Sequence, residues 1–189
     1  METKANIVGE VSVEFSIRIG WNEAERLIVN DEVDEHKLRA YLLTKALGCD
    51  YPVLRAGNSE LSSLDSYIAD KEADNDYAFI GCNGFGPDGN DYVFGISLCY
   101  NYADTAEPVE QLTGGDIVVQ MCEKAENFLL AFDGVDNDIS YFGDVDCATI
   151  EINGVEREFC YGNDIWNHFE EFVAECKEKT NKDKDNVER

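Results

Sequence analysis

Positive charge is scarce in this 189-residue chain, and scarcest between Glu72 and Glu156, where eighteen Asp or Glu residues accompany a single base, Lys124. Over the whole sequence 15 Lys and Arg stand against 40 Asp and Glu. That balance argues against direct binding to DNA, RNA or an anionic membrane, because such partners need cations to neutralise their phosphates. Histidine is nearly missing too, with only His36 and His168, and no two cysteines form a C-x-x-C pair, so the spacing of a structural zinc site is absent. No apolar run approaches the roughly 18 residues of a membrane-spanning helix, and no apolar signal segment opens the chain. With seven cysteines, an odd number, the expected home is a reducing compartment, the cytoplasm of a bacterial host. Catalytic signatures are lacking as well. The run Gly84-Phe85-Gly86-Pro87-Asp88-Gly89 has neither the Gly-Lys-Ser/Thr ending nor the following helix of a phosphate-binding loop. Neither histidine stands near a recognisable nucleophile, so no enzyme and no cofactor are expected.

What is present is an acidic chain that can fold. Hydrophobic residues make up 44%, enough for a buried core, while the formal net charge of −25 far exceeds what keeps a small domain soluble. Self-repulsion of that size opposes compactness, which points to a use for the charge beyond solubility. Adaptation to a salty cytosol fits poorly with the seven cysteines and plentiful Ile, Asn and Phe. Nor does an acidic tail explain the charge: the last stretch, 177–189, holds five bases and four acids. The expected organisation is one α+β domain over 1–176 and a charged, disordered tail over 177–189.

Ile7 to Ile19 alternates apolar and polar residues and predicts a long half-buried strand, an edge at which a second copy could pair to make a homodimer. Asn22 is expected to cap a short helix reaching Val29, and Asp34 a stronger one with Leu38, Tyr41, Leu42 and Leu47 inward and Gly48 at its end. A third helix is expected from Asn58 or Ser59, with Leu61, Leu64 and Ile68 inward. Tyr77 to Cys82 and Tyr92 to Tyr100 read as strands joined by a glycine-rich loop over 83–90. Asp116 is expected to cap a helix with Ile117, Met121, Ala125, Phe128, Leu129 and Phe132 buried, Glu123 and Glu126 outward and Gly134 just beyond. Asn153-Gly154, the strongest turn signal here, predicts a type I′ hairpin that places Ile152 opposite Val155, Ile150 opposite Arg157 and Ala148 opposite Phe159 on its buried side. Its other side pairs Glu151 with Glu156, Thr149 with Glu158 and Cys147 with Cys160. Asn163 should cap a final helix with Ile165, Trp166, Phe169, Phe172, Val173 and Cys176 inward. Together these make a mostly antiparallel sheet with helices packed on one face.

The candidate partner-binding residues follow: Glu151, Glu156 and Glu158 on the hairpin, Asp133, Asp136, Asp138, Asp144 and Asp146 in and after the segment before it, and Glu123 and Glu126 on the helix. Like charges directly opposite one another destabilise a sheet, so an acidic hairpin face kept at that cost suggests function. A calcium loop starting at Asp136 fails on register, since the required Gly and Glu fall on Tyr141 and Cys147. These carboxylates are dense enough to imitate a phosphate backbone. The chain resembles, in charge and size, the acidic DNA-mimic anti-CRISPR and anti-restriction proteins of phages and plasmids. That resemblance implies a stoichiometric inhibitor occupying the basic nucleic-acid-binding groove of a Cas effector or restriction enzyme. The closing segment Gly162-Asn163-Asp164-Ile165-Trp166-Asn167-His168-Phe169-Glu170-Glu171-Phe172 is similar to the terminal helix of some bacterial toxin-immunity proteins, which implies an acidic immunity protein neutralising a nuclease toxin. A third reading is an enzyme using the Asp133 to Asp146 carboxylates with a metal.

Overall fold

A computed structural model describes residues 3–46, 69, 77–130 and 142–187. The fold is α+β, built on an antiparallel sheet. In chain order its elements are β1 (Ala5–Gly20), α1 (Trp21–Ala24), β2 (Ile28–Val29), β3 (Glu32–Val33), α2 (Glu35–Ala46), β4 (Tyr77–Asp88), β5 (Asp91–Ala106), a 3-10 turn (Val109–Gln111), α3 (Gly114–Leu129), β6 (Phe142–Ile152), β7 (Val155–Cys160) and α4 (Tyr161–Val187). The main sheet has five strands in the order β4-β5-β1-β6-β7. β1 is therefore its middle strand. Its backbone is paired on both sides, which removes it as an edge for a second copy.

The chain forms two compact units, the first of residues Met1–Val11, Asn101–Ala125 and Asp144–Arg189 and the second of Ser12–Tyr100 and Glu126–Gly143. In the first, Ala5, Ile7 and Val11 of β1 are buried together with Tyr102 and Ala106 of β5, Ile150 and Ile152 of β6 and Phe159 of β7. α3 and α4 cover that face with Ile117, Met121, Ile165, Phe169, Phe172 and Cys176, and the Phe159 and Phe172 rings meet edge to face at 5.9 Å. The helices touch through backbone: a Cβ on Gly114 would stand 2.2 Å from the Ile165 carbonyl oxygen. α3 opens on a capping box. Thr113 Oγ1 accepts the Asp116 N–H at 3.2 Å and Asp116 Oδ2 accepts the Thr113 N–H at 2.8 Å, so Thr113 is the cap and Asp116 its reciprocal partner. Asn163 likewise sits inside α4, where Asp164 Oδ2 accepts the Cys160 N–H at 3.0 Å. Trp166, expected inward, is 56% exposed. α4 runs on to Val187, through the stretch expected to be a disordered tail.

The β6–β7 register follows the Asn-Gly turn without a shift, from Ile152↔Val155 to Cys147↔Cys160, with Asn153 at φ 52 and Gly154 at φ 76. Both angles are left-handed, as a type I′ turn demands.

In the second unit Val13, Phe15, Ile17 and Ile19 of β1 and Phe94, Ile96, Leu98 and Tyr100 of β5 are buried, and Phe128 of α3 lies 5.5 Å from Tyr77 and 5.2 Å from Tyr100. Here two expectations change. The helix expected from Asn22 to Val29 is one turn, α1, preceded by Gly20 without a side-chain cap. The chain then makes the small hairpin β2–β3 around Asn30 (φ 54) and Asp31 (φ 63), two residue types that tolerate the left-handed region a tight hairpin needs. The glycine-rich stretch is part of strand β4, pairing Gly84 with Gly95, Phe85 with Phe94 and Gly86 with Val93 across two register shifts. Glycine there marks an irregular edge strand and not a loop. Asp34 caps α2 as expected, its Oδ1 accepting the Lys37 N–H at 3.2 Å. The helix expected near Asn58, along with Leu47, Gly48, Phe132 and Gly134, lies outside the described residues.

Candidate functional site

Strand alternation that buries one face of the first unit's sheet projects a second face outward. From β1 it carries Asn6, Val8 and Glu10, from β6 Cys147, Thr149 and Glu151, and from β7 Glu156, Glu158 and Cys160. Buried positions in β6 run Val145, Ala148, Ile150 and Ile152. The spacing slips by one after Val145, leaving Asp144 exposed and Asp146 half-buried on either side of it. Partners directly opposite in an antiparallel pair stand about 4.5–5.5 Å apart and every second residue along a strand about 6.8 Å apart. The paired Glu151 and Glu156, with Glu158 two residues on, therefore form a close group of charge.

The three glutamates differ in what they do. Glu151 is half-buried and committed to the fold: its Oε1 accepts the Gly154 N–H at 3.1 Å and its Oε2 accepts Asn6 Nδ2 at 3.2 Å. Asn6 in turn accepts the Thr105 hydroxyl at 3.3 Å, so a polar chain crosses β5, β1 and β6 to the turn. These donors offset the repulsion expected between Glu151 and Glu156 and make Glu151 a clasp for the hairpin. Glu156 and Glu158 are exposed, and among the described residues no base pairs with either. Three bases of this unit are held elsewhere: Lys4 by Glu107 at 2.7 Å, Lys124 by Asp104 at 2.5 Å, and Arg157 by Glu175 at 2.6 Å, with its guanidinium 4.8 Å from the Phe172 ring centre.

Cys147 reports the resulting field. Its thiol is pushed above the ordinary range, first by burial and then by the negative charges of Glu10, Asp146 and Glu158, against a lowering hydrogen bond from the Glu10 backbone. Three strands thus converge carboxylates on one thiol. Glu10 belongs to the site although it was not among the expected residues; its place on the polar face of the first strand was legible, its position between β5 and β6 was not. Cys160 sits opposite Cys147, exposed, and both are free thiols.

The remaining expected residues do not join this face. Glu123 is exposed on α3, whose neighbours Met121 and Ile117 pack on the opposite, buried side of the first unit's sheet, and Glu126 is half-buried at the start of a segment of the second unit. Asp133, Asp136 and Asp138 lie outside the described residues. Among the described residues no three His, Cys, Asp or Glu side chains come together to hold a metal ion. In the second unit an open trough of about 470 Å³ runs along Asn83 to Asp88, Val93 and Gly95. Its lining residues belong to β4 and β5, and none of them opens a helix that could offer N–H groups to a phosphate.

Comparison with known proteins finds no matching family model, no similar curated protein and no similar solved structure. No helix among the described residues is long and apolar enough to cross a membrane.

Proposed function

We propose that this protein is a stoichiometric inhibitor whose acidic sheet face, centred on Glu10, Glu156 and Glu158, occupies the basic nucleic-acid-binding groove of another protein, such as a Cas effector or restriction nuclease. The observation that carries this reading is the set of exposed carboxylates on β1 and β7, the strands on either side of β6, that no base of the described residues neutralises. Ordered strands hold them at fixed spacing, so they meet Lys and Arg of a groove without first losing conformational freedom. Attraction between a −25 chain and a basic groove speeds encounter and falls with salt.

A second reading, an acidic immunity protein that neutralises a nuclease toxin away from its cleft, is favoured by the acids on the helical side of the first unit, Glu123, Glu170 and Glu171. Affinity capture from lysates expressing candidate Cas and restriction nucleases, followed by competition with DNA or guide RNA, separates the two. The groove reading expects nucleic acid and this protein to exclude one another. A captured nuclease that still binds its nucleic acid normally at saturation would end that reading and leave the second.

A further inference from the structure

On the helical side of the first unit an indole stands outside both the core and the acidic sheet face. Trp166 is 56% exposed. Three adjacent atoms of its six-membered ring, Cη2, Cζ2 and Cζ3, lie 3.1, 3.3 and 3.3 Å from where a Cβ on Gly115 would stand. An edge-on approach would spread those distances far more, so Gly115 lies under a face of the ring. The indole is therefore seated on glycine backbone by one face, with more than half of its surface open. Val119, one turn beyond Gly115 on α3, is 48% exposed, and Glu123, a further turn on, is exposed. Glu170, one turn beyond Trp166 on α4, is exposed, and its Oε1 accepts the Gly114 N–H at 3.3 Å, which fixes it at the same corner. Lys124, the single base on α3, is held by Asp104.

A tryptophan seated in this way gives a large contact area at small conformational cost. A carboxylate beside an indole complements one kind of group in particular: a guanidinium, whose plane stacks on the ring while its N–H fork reaches the carboxylate. A second copy would bring the same carboxylate to the same corner, and a phosphate-bearing surface would be repelled in the same way. We propose that Trp166, seated on Gly115 with Glu170 beside it, is an arginine-stacking anchor through which the protein docks a basic protein surface. The anchor lies on a different side of the first unit from Glu156 and Glu158, and it stands whether or not the sheet face enters a groove.

The test uses the full chain with Trp21→Phe, so that Trp166 is the sole tryptophan, titrated with nona-arginine and nona-lysine at equal ionic strength. Arginine should bind about threefold tighter than lysine, the size of a cation–π contact at an exposed site, and should shift or quench Trp166 emission. Trp166→Leu, checked for an unchanged thermal midpoint, should bring the preference to about one; should it fold poorly, the conservative Trp166→Phe serves, retaining part of the preference. Glu156→Gln with Glu158→Gln should weaken both peptides alike and leave the preference intact. Equal binding of the two peptides, or Trp166 emission unmoved at saturation, would overturn the anchor, while capture and competition report on the sheet face separately.

Discussion

The two edge strands of the sheet, β7 in the first unit and β4 in the second, solve the same problem with opposite materials. β7 alternates Glu156 and Glu158 outward and pairs with β6 without a register shift. β4 carries Gly81, Gly84 and Gly86 and reaches β5 only through two irregularities, with Phe85 exposed and 5.8 Å from Phe94. Exposed edges invite pairing with other chains, and both charge and irregular backbone discourage it. The difference is that the charged edge also makes a surface with chemical character, whereas the glycine edge makes an open trough. Edge protection alone accounts for Glu156 and Glu158, but not for Glu10 in the middle strand, which is why the three together define the candidate site.

The largest effect expected from breaking this contrast is on binding. Reversing Glu10, Glu156 and Glu158 to Lys should lower affinity for a captured nuclease by at least about 100-fold at low salt, mostly through the association rate, with circular dichroism unchanged. Glu151 is left out because its substitution would loosen the hairpin. Unchanged affinity would move the interface off this face.

Next in size are the turns. Gly154→Ala places a side chain at φ 76 and should cost about 1–2 kcal/mol in denaturant unfolding. Gly84→Ala and Gly86→Ala meet open space and should change stability by no more than about 0.5 kcal/mol, on the stabilising side. Equal penalties would mean that β4 needs its glycines as the β6–β7 turn does.

Thiol reactivity gives a smaller effect. Glu158→Gln should speed alkylation of Cys147 by removing the least of the charges that raise it, and Glu10→Gln should speed it more. Cys82 on β4, raised by burial and by Glu35 against a lowering hydrogen bond from Gly84, should keep its rate. Rates that rise at both would indicate general loosening instead of local electrostatics.

Acid gives the smallest. Lys124 holds the Asp104 carboxyl below the ordinary range, and Thr113 does the same for Asp116. A depressed carboxyl stabilises the fold above its unfolded value and loses that contribution as pH falls through the folded one, so the loss belongs below about pH 4. Asp116→Asn should flatten part of the fall in thermal midpoint between about pH 4 and pH 2, and an identical pH profile would remove the capping box from the account.

Much of this was legible in the sequence where local chemistry decides. Asn153-Gly154 dictates a turn, the turn dictates register, and every pair down to Cys147 and Cys160 follows. The alternation of the first strand was equally plain. What local pattern cannot convey is strand order, so the first strand read as an edge when it is the centre, and Glu10 was not placed beside Cys147. Composition misled at 83–90, where glycine resembles a loop although each strand partner lies in β5. Helical spacing puts Trp166 inward because it cannot tell a core tryptophan from one seated on a neighbouring helix's glycine. The partner of Glu151 was hidden for a similar reason, since Asn6 is 145 residues away in the chain.

The central claim, that the outward face of β1, β6 and β7 is the contact surface, is tested most directly by footprinting Cys160, the exposed thiol on that face. Its alkylation rate should be measured free and in saturating complex with the captured nuclease, with other thiols as internal controls. Complex formation should slow Cys160 at least about tenfold, as expected when an interface excludes solvent from its centre. Reaction of Cys160 at its free rate in the saturated complex would contradict the claim.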